Sequence, residues 1–75
     1  MAWTDSYGRL HREDRELGQA SRWVLAERTG DVAWQDSWGR LYKNERQVAD
    51  RTQQWTLRED GRLIWQDSRG DTYSD

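Results

Sequence analysis

The residues of this chain with the clearest chemical potential are three tryptophans, each followed two positions later by an aspartate. The pairs are Trp3 with Asp5, Trp34 with Asp36, and Trp65 with Asp67. An indole can stack on the apolar face of a pyranose ring, and a neighbouring carboxylate can accept hydrogen bonds from sugar hydroxyls. Three such pairs would add avidity. The competing interpretation places the Trp residues in the core and the Asp residues in turns; we favour it because the chain has no Phe and few aliphatic residues to bury.

A second set of candidate contact residues lies two positions after each Asp. This position holds Tyr7, Trp38 and Arg69, and these are the residue types enriched at protein-binding hot spots. A side chain at the tip of a turn is usually exposed. We therefore predict a partner-binding surface at these three residues, with Tyr42 as a fourth candidate. The alternative for Trp38 is that its ring folds back over its own hairpin.

Catalytic and metal-binding chemistry find little support in the sequence. His11 is the only histidine, there is no cysteine, and His11 occupies the position that Tyr42 and Tyr73 take in the other copies of the phrase. It is therefore expected to fill an aromatic packing position. No glycine-rich phosphate loop and no dense series of oxygen ligands for calcium is present. We predict no catalytic residues, no metal and no cofactor, and hence a protein that is not an enzyme.

The composition describes a small soluble domain with a thin core. Of its 75 residues 33% are hydrophobic and 35% are charged, and the net charge is -2. The basic residues alternate with acidic ones, without the positive cluster typical of nucleic-acid binding. No apolar run approaches the roughly 20 residues that span a bilayer. We expect no nucleic-acid or membrane partner, a cytoplasmic location by default, and a homo-oligomer as one way to complete the core.

The elements that must position these residues are set by an internal repeat. The phrase around each Trp and Asp recurs twice at a constant offset of about 31 residues, a spacing typical of repeat architectures. It divides a single domain, 1–75, into units 2–32, 33–63 and the partial unit 64–75. A second phrase, which begins at Trp23, recurs at Trp55 with one residue of slippage. Because the chain begins and ends out of phase with its unit, we expect unpaired sheet edges.

Each unit is predicted to be a three-stranded β-meander. Apolar residues alternate in the segments that follow Trp23 and precede Trp34, and Asp60-Gly61 is a typical hairpin turn. The phrase Asp-Ser-X-Gly then favours a type I turn before a short third strand. The connecting segments 11–22 and 43–54 carry one apolar residue every seven positions, which is compatible with either short helices or irregular crossovers. The fold class is therefore mainly β, with Trp-anchored hairpins and short helices allowed in these connections.

Two resemblances concern the segment from Trp55 to Tyr73. Its leading Trp, its Gly61-Arg62 turn and its aromatic end resemble a WW domain, which implies a three-stranded sheet that binds proline-rich peptide. Its run from Gly61 through Asp67 and Gly70 to Tyr73 is similar to the tyrosine-aspartate repeats of large bacterial shell proteins. The chain is assigned to neither family.

These observations lead to a ranked set of functions. The first is non-catalytic protein-protein interaction or self-assembly through the turn-tip residues and the open sheet edges. The alternative is a small carbohydrate-binding module that uses the repeated Trp-X-Asp phrase. A designed or reconstructed repeat protein without natural function is a third interpretation, suggested by the absence of Pro, Phe and Cys.

Overall fold

The computed structural model describes residues 2–75, which fold entirely into strands, turns and short connections. The ten strands within this range are β1 (Ala2–Thr4), β2 (Arg9–Arg12), β3 (Arg15–Gln19), β4 (Arg22–Ala26), β5 (Asp31–Gln35), β6 (Leu41–Lys43), β7 (Arg46–Ala49), β8 (Thr52–Leu57), β9 (Leu63–Asp67) and β10 (Thr72–Ser74). They form three antiparallel sheets, which we call sheet 1 (β1-β2-β3), sheet 2 (β4-β5-β6-β7) and sheet 3 (β8-β9-β10). The predicted mainly β fold, built from repeated hairpins, is confirmed.

The hairpins pair in the register that the hydrophobic alternation requires. In sheet 2, Trp23 lies opposite Trp34 and Leu25 lies opposite Val32. Residues directly opposite each other in an antiparallel pair project to the same side of the sheet. The pairing therefore collects the large apolar residues of β4 and β5 on one face, as the period of two predicts.

The two connecting segments are strands, and the helical alternative for them is wrong. β3 and β7 occupy them and extend the first two sheets by pairing with β2 and β6. The apolar residues spaced by seven, such as Leu10, Leu17 and Val24, lie on three successive strands. A short strand and its tight turn together take about seven residues, so the same spacing arises without a helix.

The core consists of two clusters, one between sheets 1 and 2 and one between sheets 2 and 3. The first contains the buried residues Ala2, Leu10, Val32 and Trp34. The second contains Ala26, Ala33, Leu41, Trp55, Leu57 and Leu63. The fully buried Leu10 and Leu41 occupy the same position of the repeat, and so do the fully buried Val32 and Leu63. Equivalent positions are therefore buried at both sheet contacts.

A tryptophan of the following sheet takes part in each contact between sheets. Trp34 of sheet 2 lies against Gly18 in β3. Trp65 of sheet 3 packs against the cluster joined by Val48 and Ala49 of β7. Gly18 and Ala49 are equivalent in the repeat, and the absence of a side chain at Gly18 leaves space for the Trp34 ring.

Polar links also join successive sheets at equivalent positions. The Arg12 guanidinium donates to Asn44 Oδ1 at 2.8 Å, and Lys43 Nζ donates to Asp75 Oδ2 at 2.5 Å, each over a separation of 32 residues. Arg15 also forms an ion pair with Glu45. The end of β2 is thereby tied to the turn after β6, and the end of β6 is tied to the residue that follows β10.

Candidate functional site

The three Asp-Ser-X-Gly turns have the same hydrogen-bonded geometry. In the middle copy, Asp36 Oδ1 accepts the backbone N–H of Trp38 at 2.9 Å and that of Arg40 at 3.0 Å. The Gly39 N–H closes the turn by donating to the Asp36 carbonyl at 3.2 Å. Asp5 and Asp67 accept the N–H groups two and four residues later in the same way. A short acceptor side chain at the first turn position fixes the backbone that follows it, so each tip residue stands on a rigid support.

The second carboxylate oxygen of each Asp binds the aromatic residue six positions later. Asp36 Oδ2 accepts the Tyr42 hydroxyl at 3.0 Å, and Asp67 Oδ2 accepts the Tyr73 hydroxyl at the same distance. In the first copy, His11 Nε2 forms a hydrogen bond with Asp5 Oδ2 at 2.9 Å. A single carboxylate therefore ties both ends of each turn together.

The same aromatic residue stacks on the Trp that precedes the Asp. The ring centroids of Trp34 and Tyr42 are 3.9 Å apart with an interplanar angle of 8°. The stack of Trp3 on His11 has a centroid distance of 4.2 Å, also at 8°. The expected aromatic packing position of His11 is thus what the structure shows. Trp, Asp and aromatic residue form one unit, which we call the Trp-Asp-aromatic unit.

The electrostatics of this unit stabilise the charged carboxylate. Burial raises the pKa of Asp36, but hydrogen bonds from the Arg40 N–H, the Arg40 guanidinium at 2.7 Å and the Tyr42 hydroxyl outweigh it, so the pKa lies below its ordinary value. The hydrogen bond with His11 lowers the pKa of Asp5. Burial and the hydrogen bond to Asp36 raise the pKa of Tyr42. The surroundings of each of these carboxylates therefore favour its charged form, which suits a structural role in the turn better than proton transfer.

Two of the turn tips carry the most exposed large hydrophobic side chains within residues 2–75. Trp38 is 77% exposed and Tyr7 is 74% exposed. Arg69, at the third tip, is also exposed. The Trp38 ring stands beside a shallow depression that Gly39, Arg51, Thr52, Gln53 and Ser68 line with it. Its ring has therefore not folded into the core. Tyr42, the fourth candidate, is half-buried in its stack on Trp34 and its hydrogen bond to Asp36.

The three tryptophans of the glycan-binding hypothesis differ in how far they are exposed. Trp34 is 4% exposed, and its indole N–H donates to the Asn44 carbonyl at 2.9 Å. Trp65 is half-buried and stacks on Tyr73, whereas Trp3 is 46% exposed. The carboxylates of the three Asp residues are turned toward their own turns and aromatic residues. The indole rings and the carboxylates are thus adjacent in the structure, but the hydrogen-bonding capacity of the carboxylates is largely used within the Trp-Asp-aromatic unit.

Sequence reasoning missed the residues that fasten the sheets together. Asn44 has a positive φ of 56°, and its side chain accepts the Val32 N–H and donates to Asp31 Oδ1, each at 3.0 Å. Asp75 Oδ1 accepts the Leu63 N–H at 2.8 Å, in the equivalent place. The signal that could have found them is the repeat itself, because Asn44 and Asp75 occupy the same position in successive units.

Comparisons with known proteins give no match, so the functional proposal depends on the geometry described above. No protein-family model, curated protein or solved structure matches the chain. Within residues 2–75, no helix is long and apolar enough to cross a membrane. Across that same range, His, Asp and Glu side chains form no group of three or more with an arrangement suited to a metal ion.

Proposed function

We propose that the chain is a non-catalytic protein-interaction domain that presents aromatic side chains on rigid turn tips, with self-association as the form to test first. The observation that carries this proposal is Trp38, whose side chain is 77% exposed although its backbone is fixed by Asp36. A large exposed aromatic ring on an ordered backbone loses little conformational entropy when it is buried by a partner.

Two of the three tips border one depression, which supports a shared contact surface. Tyr7 and Arg69 occupy the equivalent tip position in sheets 1 and 3, and Ser68, next to Arg69, lines the depression beside Trp38. The tips of sheets 2 and 3 therefore contribute to the same surface. Its aromatic and guanidinium groups are the types that dominate binding energy at protein interfaces.

The carbohydrate-binding alternative receives less support from the same geometry. It requires at least two of the strand tryptophans to be exposed beside a free carboxylate, and among the three only Trp3 is exposed. Each Asp carboxylate is already hydrogen-bonded to two backbone N–H groups of its own turn. A sugar would have to compete with these bonds.

The test is the molar mass in solution, measured by light scattering coupled to size exclusion over a dilution series. We expect the wild-type mass to exceed the 9.0 kDa of one chain at high concentration, and Trp38→Ala to shift the series toward the monomer. Because the ring is exposed, the variant should keep its free energy of unfolding within about 0.5 kcal/mol.

Arg28→Ala is the matched control, since Arg28 is exposed in the β4-β5 turn at the opposite end of the hairpin. It should associate as the wild type does. A wild-type mass of 9.0 kDa throughout the series, or undiminished association of Trp38→Ala, would contradict the proposal.

A further inference from the structure

The depression beside Trp38 contains a buried polar group that the fold does not use. Thr52 lines this depression together with the exposed residues Arg51 and Gln53. Thr52 is only 6% exposed. Among the buried side-chain nitrogen and oxygen atoms of residues 2–75, Thr52 Oγ1 is the one without a hydrogen-bond partner. A buried hydroxyl without a partner costs free energy, so this position is a candidate for a bound group.

Hydrogen bonds hold the Thr52 backbone from two sides. Its N–H donates to the Gly39 carbonyl at 3.0 Å, and its carbonyl accepts the side-chain amide of Gln35 at 2.8 Å. The Gln35 amide oxygen in turn accepts the indole N–H of the buried Trp55 at 3.2 Å. Thr52 is therefore fixed at the depression through its backbone, and its hydroxyl is not needed to hold it there.

The equivalent place at the first turn tip has no hydroxyl. There Ala20 donates its N–H to the Gly8 carbonyl at 3.1 Å, the same backbone bond that Thr52 makes at the second tip. The chain from the tip glycine to this residue is one residue longer in the second copy. Arg51 lies in that longer stretch and lines the depression. Because the first tip forms with neither group, the repeat itself does not require them.

The depression offers unused hydrogen-bond donors and one positive charge. Arg51 is its charged residue, and within residues 2–75 the guanidinium forms no ion pair or hydrogen bond. The nearest carboxylate in sequence, that of Asp50, already accepts the Gln47 amide at 2.7 Å. An unpaired guanidinium and an unpaired hydroxyl suit a ligand group with one negative charge and several acceptor lone pairs. A carboxylate is such a group.

We propose that this depression binds the carboxylate of a Glu or Asp side chain of a partner protein, with an apolar neighbour of that residue on the Trp38 ring. The Arg51 guanidinium and the Thr52 hydroxyl donate to the carboxylate oxygens, and the indole buries the apolar group. Thr52 Oγ1 is covered in the free chain, so an exposed side chain such as that of Gln53 turns aside on binding, a fast motion at a surface. The inference rests on the proposed interaction role and names the partner chemistry at the same turn tip.

The probe is the peptide acetyl-Gly-Glu-Leu-Gly-amide, titrated into the isotope-labelled full chain at a concentration where light scattering gives the mass of one chain. The NMR amide signals of Thr52, Gln53 and Ser68 should shift saturably. The peptide with Gln in place of Glu should bind at least about fivefold more weakly, because it lacks the charge. Phosphoserine at that position should not improve binding, because a single guanidinium, that of Arg51, lines the depression.

Two variants of the chain separate binding from folding. Thr52→Val keeps the shape of the side chain and removes the hydroxyl, so it should weaken binding about fivefold. Its urea midpoint should stay the same or rise, because an unpaired buried group is lost. Arg51→Gln should weaken binding at least about fivefold. The matched controls are Thr56→Val and Arg58→Gln, at exposed positions in and directly after the same strand, and both should bind as the wild type does.

The absence of saturable shifts, equal binding of the Glu and Gln peptides, or tighter binding of the phosphoserine peptide would overturn the inference. A lower urea midpoint of Thr52→Val with unchanged binding would do the same, since the hydroxyl would then be structural. Light scattering of Trp38→Ala without peptide reports separately on the proposed function. Trp38-dependent association without peptide binding removes only the carboxylate inference. Binding of the Glu peptide with Trp38-independent association supports the carboxylate inference and removes self-association through the tip.

Discussion

The Trp34 ring lies directly against Gly18, so that a Cβ atom on Gly18 would be 2.6 Å from the Trp34 Cη2 atom. Gly18 also has a φ of +154°, which side chains rarely adopt. The first sheet thus provides a flat backbone surface for the tryptophan of the second, and this contact is part of the core between them.

Replacement of Gly18 by Ala should destabilise the chain by about 2 kcal/mol, because the added methyl group displaces a buried indole. Equilibrium urea unfolding would measure the change. Gly70→Ala is the control for backbone strain alone: Gly70 has a φ of +90°, but a methyl group added there would have no atom within 4 Å, and the change should cost about 1 kcal/mol. Equal losses in the two variants would contradict the packing argument.

Asp36 should be the most costly of the turn aspartates to replace. Its buried carboxylate accepts bonds from Trp38, Arg40 and Tyr42, and removal leaves several donors without an acceptor. We expect Asp36→Ala to lose about 2 to 3 kcal/mol in urea unfolding. Asp67→Ala, whose bonds are exposed, should lose clearly less, because water can replace the missing acceptor. Selective loss of glycan binding with an unchanged unfolding curve would instead favour the carbohydrate alternative.

Acid should destabilise the fold. Hydrogen bonding to His11 lowers the pKa of Asp5, and the bonds from Arg40 and Tyr42 lower that of Asp36 despite burial. A carboxyl group whose pKa is lower in the folded than in the unfolded state stabilises the fold at pH values above its unfolded pKa, which is 3.8. This stability is lost as the pH falls through the folded pKa. The urea midpoint should be nearly constant between about pH 5 and 7 and fall below about pH 4. The fall should be less steep in Asp36→Asn.

Alkali should destabilise the fold through the tyrosines. Burial and the bond to Asp36 raise the pKa of Tyr42, and the bond to Asp67 raises that of Tyr73. A tyrosine whose pKa is higher in the folded than in the unfolded state contributes its full stabilisation at pH values below the unfolded pKa of 10.0. This stability is lost as the pH rises through the folded pKa. Phenolate absorbance should report Tyr42 ionisation above pH 10.0, together with unfolding. Independence of the urea midpoint from pH in this range would contradict the prediction.

Glu13→Asn should stabilise the chain by about 0.5 kcal/mol, the low end of what a compatible backbone substitution gives. Glu13 has a positive φ of 59°, and Asn44, its equivalent in the repeat, has a φ of 56°. Asn adopts this conformation several times more readily than Glu. The reciprocal change, Asn44→Glu, should destabilise by about 2 kcal/mol because it also removes the side-chain bonds to Val32 and Asp31. Urea unfolding of both variants tests the pair.

The repeat and the alternation of apolar residues were sufficient to predict the hairpins of β4-β5-β6 and β8-β9-β10. The strand β7 could not be predicted from periodicity, because Val48 and Ala49 are its only apolar residues and a bulge interrupts their alternation. The exposed position of Trp38 follows from its turn phrase, which is local. The contact between Trp34 and Gly18 could not be predicted, since it depends on how two sheets meet and neither residue signals it alone.

The links from Arg12 to Asn44 and from Lys43 to Asp75 use the same positions of successive units. Removal of one whole block, residues 33–63, would bring Asp75 to the position that Asn44 occupies and Trp65 to the position of Trp34. Arg12 would then meet a carboxylate in place of an amide, and Gly18 would again receive an indole. Because each unit contacts only its neighbours in this way, a chain shortened by one block would keep the same kind of link at the junction that remains: a cation bound to an oxygen acceptor, and an indole ring packed on Gly18.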